Sequence, residues 1–174
     1  MPINDKKRTI LIADDNPNNV KVLSETLTEF GYSVRVAMDG KAAVKSALAE
    51  VPDMILLDIH MPEMDGYEAC EKLKKDSRTK EVPIIFISAL NESFNRIKAF
   101  KYGAVDYLTK PIQMEETKAR VEVHLELRQK INELETFNKI MLDREMRIIE
   151  LKKEVNDLAS ATGKEPPYPE IWNE

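Results

Sequence analysis

The chain has 174 residues with 43% hydrophobic and 33% charged residues, a composition that fits a soluble globular protein and argues against intrinsic disorder. Its net charge of −5 argues against a nucleic-acid-binding surface, and its single cysteine, Cys70, excludes an internal disulfide. The charged N-terminal stretch resembles neither a signal peptide nor a membrane span, so we expect a cytoplasmic protein without a membrane segment.

Short apolar runs alternate with helical patterns along the first two thirds of the chain. The runs predict five strands, at residues 9–13, 33–37, 53–57, 82–87 and 105–108. Capping signals and apolar residues at helical spacing predict five helices, which begin near Asn16, Asp39, Gly66, Asn91 and Met114. Strict alternation of this kind predicts a doubly wound α/β fold, with a parallel sheet and helices on both faces. The third and fourth strands are the most continuously apolar and should lie towards the middle of the sheet.

The sequence changes beyond about Leu127, because residues 113–162 contain no Gly or Pro and no further strand pattern. With Leu127 at heptad position a, eight of the ten a and d positions up to Leu158 are apolar. Those apolar residues, the predicted seam, are Leu127, Leu134, Phe137, Met141, Ile148, Leu151, Val155 and Leu158. Lys130 and Arg144 interrupt the d positions. The pattern predicts a coiled-coil homodimer, and we favour the parallel orientation.

Three segments follow from these patterns. Residues 1–127 form the α/β domain, residues 128–162 form the coiled-coil helix, and residues 163–174 form a tail. The tail is rich in proline, and we expect it to be extended or disordered.

Polar residues follow the predicted strands at the carboxyl edge of the sheet, where open α/β sheets bind ligands. They are Asp14 and Asp15 after the first strand, Asp58 after the third, Ser88 after the fourth and Lys110 after the fifth. Two unit charges at ~4 Å repel by about 4 kcal/mol at an effective dielectric constant of 20, so three carboxylates require a cation. Mg²⁺ fits best, because it takes oxygen ligands and bridges phosphate. The set suits attack of Asp58 on phosphorus, with metal, Lys110 and Ser88 holding the phosphoryl oxygens.

The motifs together resemble the bacterial response-regulator receiver domain, of which the chemotaxis receiver is a familiar member. The resemblance covers about residues 8–127. It rests on Asp14-Asp15, Asp58 with Met61-Pro62 and Asp65-Gly66, Ser88-Ala89, and Tyr107-Leu-Thr-Lys110-Pro111. It implies a flavodoxin-like sheet with strand order 2-1-3-4-5.

The resemblance also implies a role for each site residue. Asp58 would accept a phosphoryl group from a phosphohistidine on a sensor histidine kinase or a phosphotransfer protein. Asp14, Asp15 and Asp58 would hold Mg²⁺ together with the backbone carbonyl of His60. Ser88 and Tyr107 would form a switch pair, in which the hydroxyl turns towards the phosphoryl group and the ring turns inward.

Alternatives remain for the output. The chain could be a complete response regulator whose coiled coil is its output, or the regulatory part of a larger kinase, cyclase or phosphatase. In either case the receiver would not be an enzyme beyond its own phosphoryl transfer and dephosphorylation. A rival interpretation is a phosphatase of the haloacid-dehalogenase type, but such enzymes carry Asp-x-Asp after the first strand, where this chain has Asp14-Asp15.

Overall fold

The computed structural model describes residues 7–89 and 96–169, and the side chains of residues 96 and 97 are not described. The strands are β1 (Thr9–Ala13), β2 (Ser33–Ala37), β3 (Met54–Asp58), β4 (Ile84–Ala89) and β5 (Asp106–Lys110). The helices are α1 (Pro17–Glu29), α2 (Gly40–Ala49), α3 (Gly66–Lys75), α4 (Arg96–Lys101) and α5 (Met114–Ala161). The five strands form one parallel sheet in the order β2-β1-β3-β4-β5, so the predicted fold class and strand order are confirmed.

Several strand boundaries differ from the predicted ones. β4 begins at Ile84 rather than at residue 82, because Pro83 has no N–H to donate, although its carbonyl accepts from the backbone N–H of Ile55 at 3.0 Å. Both β4 and β5 run two residues further than the apolar pattern indicates, so Ser88 and Lys110 lie within strands and not after them. The predicted start of α4 at Asn91 lies outside the described residues.

The sheet is buried on both faces, as its central strand shows. Every residue of β3 is buried, and alternate side chains enter two separate core clusters. Ile55 and Leu57 pack into the cluster that also contains Phe86, whereas Met54 and Leu56 pack into the cluster that contains Leu108. Because both faces are closed, the edges of the sheet are where polar side chains of the strands can meet other groups.

Close backbone contacts fix the loop that follows β3. Asp65 caps α3 by accepting a hydrogen bond from the Glu68 backbone N–H, while the Glu68 side chain bonds the N–H of Asp65. Gly66, the first residue of α3, lies against β3 so tightly that a Cβ there would collide with the carbonyl oxygen of Asp58. The Gly66 N–H also donates to the carbonyl of Ile59 at 2.8 Å. The glycine therefore sets the position of the Asp58 backbone.

The chain divides into two compact units, residues 1–128 and 129–174, and the boundary falls within α5. In the first unit, the guanidinium of Arg128 donates to the carbonyls of Pro52 and Asp53, just before β3. In the second unit, the sequence predicts an extended or disordered tail, but Tyr168 is hydrogen-bonded to the side chain of Asn156. None of the helices in the described ranges is both long and apolar enough to cross a membrane.

We predict that Gly66→Ala lowers the free energy of unfolding by about 1–3 kcal/mol, because overpacking against backbone atoms is not easily relieved. Gly31→Ala is the matched control: Gly31 has a φ of +91° but open space around its Cβ position. Its strain should also cost about 1–2 kcal/mol. Urea denaturation measures both losses, and only Gly66→Ala should shift the amide resonance of Asp58. An unchanged Asp58 resonance in Gly66→Ala would contradict the packing argument.

Candidate functional site

The structure brings three carboxylates together at the carboxyl edge of the sheet. Asp58 ends β3, and Asp14 and Asp15 follow β1 directly. Each of the three offers a carboxylate oxygen, and these oxygens lie within 4.8 Å of one another. Asp14 is completely buried and Asp58 is 3% exposed, whereas Asp15 is exposed. Two of the negative charges are therefore withdrawn from water, and one faces it.

Lys110 connects the two buried carboxylates. Its Nζ lies 2.6 Å from one Asp58 oxygen and 3.1 Å from one Asp14 oxygen. Lys110 ends β5, and its register partner in β4 is Ala89. The pairings of β5 with β4 and of β4 with β3 place the ends of the three strands at the same edge of the sheet, where the ammonium meets Asp58. One half-buried ammonium thus compensates part of the negative charge of two carboxylates.

Burial and pairing act in opposite directions on these groups. Burial is the largest influence on Asp58 and raises its pKa above the ordinary value; the Asp14 charge adds to this, while the bonds from Lys110 and the backbone N–H of His60 oppose it. Burial alone would lower the pKa of Lys110, but its bonds to Asp58 and Asp14 outweigh burial, so that pKa is raised. The lysine therefore stays charged, and the negative charge that remains on the three carboxylates favours an additional cation.

Asp14 has two further hydrogen-bond partners, Asn16 and Asn19, which the sequence motifs do not predict. The backbone N–H of Asn16 donates to it at 2.8 Å, and Asn19 Nδ2 lies 3.0 and 3.2 Å from its two oxygens. Asn19 belongs to the first turn of α1, which begins at Pro17 after the Asn16 cap. The three-residue step from the Asn16 cap to Asn19 orients the Asn19 amide towards Asp14. The sequence feature that could have predicted this contact is a polar residue in the first helical turn after the Asp14-Asp15 pair.

The other predicted site residues lie around this group. Ser88 is 1% exposed near the end of β4, and its Oγ contacts the carbonyl of Ala89 at 3.4 Å. Tyr107 in β5 is half-buried and packs against the core cluster that contains Phe86, its register partner. His60 is exposed, and its backbone N–H hydrogen bonds Asp58. Ser88 and Tyr107 thus belong to adjacent strands, and His60 contacts the carboxylate through its backbone.

A second charged cluster joins β5 to α5. Arg120 NH1 lies 2.7 and 2.8 Å from the two oxygens of Asp106, and His124 Nε2 lies 3.0 Å from one of them. Burial raises the pKa of Asp106, but the bonds from Arg120 and His124 outweigh it, so the pKa is lowered. The Arg120 guanidinium also lies 5.8 Å from the centre of the Tyr107 ring. The sequence does not predict this cluster, because no local pattern pairs an acidic residue of a strand with a helical residue 14 positions later.

The donor set fits a hard divalent cation. Three carboxylates with mutually close oxygens, one of them exposed, leave a side from which water can complete the coordination of the ion. Mg²⁺ prefers one or two carboxylates and several waters, which this edge can provide. Asp14, Asp15 and Asp58 are the residues able to hold it.

Comparison with known proteins agrees with this geometry. The model of the response regulator receiver domain matches residues 10–122. The response regulator PleD of Caulobacter vibrioides is 47% identical over 103 residues, which cover 59% of this chain and 23% of PleD. The DNA-binding dual master transcriptional regulator RpaA of Synechocystis is 37% identical over 132 residues, covering 76% of this chain and 55% of RpaA. The chain thus spans from about a quarter to about half of these relatives.

A solved structure shows the same fold with a metal ion. The receiver domain of sensor histidine kinase PA1611 from Pseudomonas aeruginosa has a magnesium ion coordinated in its active-site cleft. It is 32% identical, has a TM-score of 0.65, and the match covers 69% of this chain and 98% of that domain. The family model alone accounts for more than half of the chain. The chain therefore belongs to the response regulator receiver family of two-component signalling.

Proposed function

We propose that the chain is a phosphorylation-dependent switch in which Asp58 accepts a phosphoryl group from a phosphohistidine. The donor would be a cytoplasmic sensor histidine kinase or a phosphotransfer protein. The observation that carries the proposal is the position of Asp58, which is buried at the sheet edge between Asp14 and the Lys110 ammonium. Asp14 shares the three-carboxylate group and contacts Lys110 at 3.1 Å, but its oxygens also accept from Asn16 and Asn19. Asp58 is the member of the group that ends a strand and has the shorter Lys110 contact, at 2.6 Å.

The transfer forms a bond between an Asp58 carboxylate oxygen and phosphorus, while the bond from phosphorus to the donor imidazole nitrogen breaks. Lys110 moves its ammonium from the carboxylate oxygen to a phosphoryl oxygen, and the hydroxyl of Ser88 donates to another. Asp14, Asp15 and Asp58, with the carbonyl of His60, would hold Mg²⁺. When bound, this ion neutralises charge on the phosphoryl oxygens.

The change would reach α5 through β5. Lys110 and Tyr107 belong to the same strand, so a displacement of the Lys110 side chain towards the phosphoryl group acts on the strand that carries Tyr107. Asp106, next to Tyr107, is hydrogen-bonded to Arg120 and His124 on α5. Ser88 and Tyr107 would be the switch pair, and Asp106 would transmit the shift to the helix. A shift of about 5.5 kcal/mol takes a two-state population from 1:99 to 99:1.

The output would be a homodimer that forms through residues 127–158, with the seam residues at its interface. All eight seam residues are at least 37% exposed, and exposed apolar surface contributes roughly 25 cal/mol per Å² when a partner buries it. A second copy of the chain is the occupant that the heptad pattern favours, because the same residues supply both sides of the interface.

A second candidate follows from the relatives, which are about two to four times as long as the part they share with this chain. In that case the helix would couple the receiver to a further domain, such as a kinase, cyclase or phosphatase. The dimer and the coupling helix are compatible, since a dimeric helix can align two copies of a following domain.

We predict that Asp58→Asn abolishes phosphorylation by acetyl phosphate in the presence of Mg²⁺, because the amide cannot attack phosphorus. Intact mass measures the uptake. Asp15→Asn should also lower the uptake, because it removes a ligand of Mg²⁺. Since the acceptor Asp58 is still present, a higher Mg²⁺ concentration should restore phosphorylation.

The two variants separate the acceptor from the ligand. Asp15→Asn should unfold at or above the wild-type urea concentration without metal, because it removes the exposed one of three mutually repelling charges. Uptake of label by Asp58→Asn at the wild-type rate would disprove the acceptor assignment. Equal Mg²⁺ titrations of wild type and Asp15→Asn would disprove the metal assignment.

We predict that Asn19→Ala weakens Mg²⁺ binding about tenfold, a typical effect of losing a residue that orients a metal ligand. The Asn19 amide bonds both oxygens of Asp14, so its loss lets that carboxylate rotate. Asn18→Ala is the matched control, since Asn18 is the exposed neighbour and only its backbone N–H bonds the Asn16 cap. NMR titration with Mg²⁺ measures both affinities. Equal affinities for the two variants would show that Asn19 does not position Asp14.

We predict that Leu134→Gln weakens the dimer about a hundredfold, because two buried leucines per dimer are lost at about 1.5 kcal/mol each. Leu142→Gln is the matched control: Leu142 is 61% exposed and Leu134 is 62% exposed, but Leu142 lies off the seam at heptad position b. Sedimentation equilibrium of the full chain measures both. A wild-type chain that remains monomeric at tens of micromolar, or equal effects of both substitutions, would contradict the predicted seam.

Two further experiments test the orientation of the helices in the dimer and the control of dimerisation by the receiver. Leu158→Cys should crosslink to itself in a parallel dimer, and the natural thiol of Cys70 is buried and does not compete. Beryllofluoride should change the dimer affinity of the wild type but not that of Tyr107→Ala, whose own beryllofluoride binding should be unaltered.

A further inference from the structure

The tail turns back along α5 immediately after the helix ends. Gly163 has a φ of +70°, its N–H donates to the carbonyl of Ser160 at 3.1 Å, and the Lys164 N–H donates to the carbonyl of Ala159 at 2.9 Å. A glycine with positive φ and a hydrogen bond back across the last turn is a common way to end a helix and reverse the chain. Residues 163–169, which we name the strap, therefore run back towards earlier turns of the helix.

Asn156 holds the strap through its backbone. The side-chain Nδ2 donates to the carbonyl of Tyr168 at 2.9 Å, and the Oδ1 accepts from the N–H of Tyr168 at 3.1 Å. These two reciprocal bonds satisfy one donor and one acceptor of a strap residue, as a neighbouring strand would. The Lys152 ammonium lies 5.5 Å from the centre of the Tyr168 ring, within the range of a cation–π interaction.

The composition of the strap favours an extended conformation. Three of its seven residues are proline, at positions 166, 167 and 169, and they flank Tyr168 on both sides. Proline fixes φ and reduces the number of conformations that the free segment can adopt. Ordering the strap on the helix therefore costs less conformational entropy than ordering a flexible tail of the same length.

The strap covers one face of the helix. Among the described residues from 129 to 169, the only ones that are not exposed are Ile149, Lys152, Asn156 and Ala159. Their spacings of three, four and three residues place them on one stripe. In the heptad frame of the seam they occupy positions b, e, b and e.

The covered stripe borders the seam. Residues at position e flank the a and d core of a parallel coiled coil and contact the partner helix. Lys152 and Ala159 are such residues, and they lie beside the seam residues Leu151, Val155 and Leu158. A strap lying over them occupies space that a second helix needs in the last two heptads.

We propose that the face of α5 around Asn156 is a docking site for the chain's own strap, and that strap and partner helix compete for it. The proposal rests on the homodimer proposed above. With the strap closed, the last two heptads are shielded on one side and the dimer is weaker. With it open, the seam is available as far as Leu158.

The size of the effect follows from the fraction of open chains. A strap that is closed in about two thirds of the chains lowers the apparent dimer affinity about tenfold, because both helices of a pair must be open. Opening the strap by mutation should tighten the dimer by that factor.

The test compares dimer dissociation constants of full-length variants by sedimentation equilibrium. Asn156→Ala removes both hydrogen bonds to Tyr168 and should tighten the dimer about tenfold. Asn132→Ala is the matched control, because Asn132 is an exposed helical asparagine at position f, far from the strap in sequence, and the substitution has the same effect on helix propensity. A chain ending at Lys164 opens the site without altering the helix and should behave as Asn156→Ala does.

The outcomes separate the strap from the dimer. Tightening by Asn156→Ala and by truncation, beyond that of Asn132→Ala, supports the competition. Equal dissociation constants for all four proteins overturn it and leave the dimer intact. Monomers throughout, including the truncated chain, overturn the dimer and the competition together. Hydrogen exchange of the Tyr168 amide in dilute wild type should be slower than in Asn156→Ala, and equal exchange would show that the strap does not close.

Discussion

Two buried carboxylates that share one ammonium are the constraint on which the rest of the structure depends. Asp14 and Asp58 are almost fully removed from water, and Lys110 reaches both. Removing one partner of a buried ion pair typically costs about 3–5 kcal/mol, so the strand that carries Lys110 cannot move freely while the pair is intact. The same arrangement leaves net negative charge at the site, since one ammonium does not balance three carboxylates. A cation and a phosphoryl group together can change that balance, and this makes the site responsive.

The proposed response would pass through charged groups that lie on strands and helices. Lys110 ends β5, Asp106 begins it, and the hydrogen bonds of Asp106 to Arg120 and His124 join the strand to α5. Arg128, further along the same helix, donates to the carbonyls of Pro52 and Asp53 at the start of the strand that Asp58 ends. The helix is thus fastened to the first unit at two points, and a displacement of β5 acts on one of them.

Much of the fold and most of the site could be predicted from the sequence, because both depend on local patterns. Apolar runs identify the strands, and parallel strands deliver their carboxyl ends to one edge, so Asp14, Asp58 and Lys110 had to lie close together. The boundaries of β4 and β5 could not be predicted, because polar residues such as Ser88 and Thr109 continue the ladder without an apolar signal. Asn19 and Arg128 were missed for another reason: one is a neutral amide, and the other bonds carbonyls 75 and 76 residues away. Backbone acceptors leave no trace in the residue types that supply them.

The proline-rich tail is hydrogen-bonded to the side chain of Asn156 on the helix through Tyr168. Proline-rich segments are usually expected to remain free, because they lack donors for regular secondary structure. Here the one donor between prolines, the N–H of Tyr168, is the one that Asn156 accepts. An asparagine in a solvent-exposed helix contributes little to the stability of the helix, because its helix propensity is lower than that of alanine. Its amide becomes favourable where a second segment offers both a donor and an acceptor at the right spacing. Asn132 belongs to the same helix and is exposed, so the favourable contribution at Asn156 comes from the tail that meets it and not from the residue type alone.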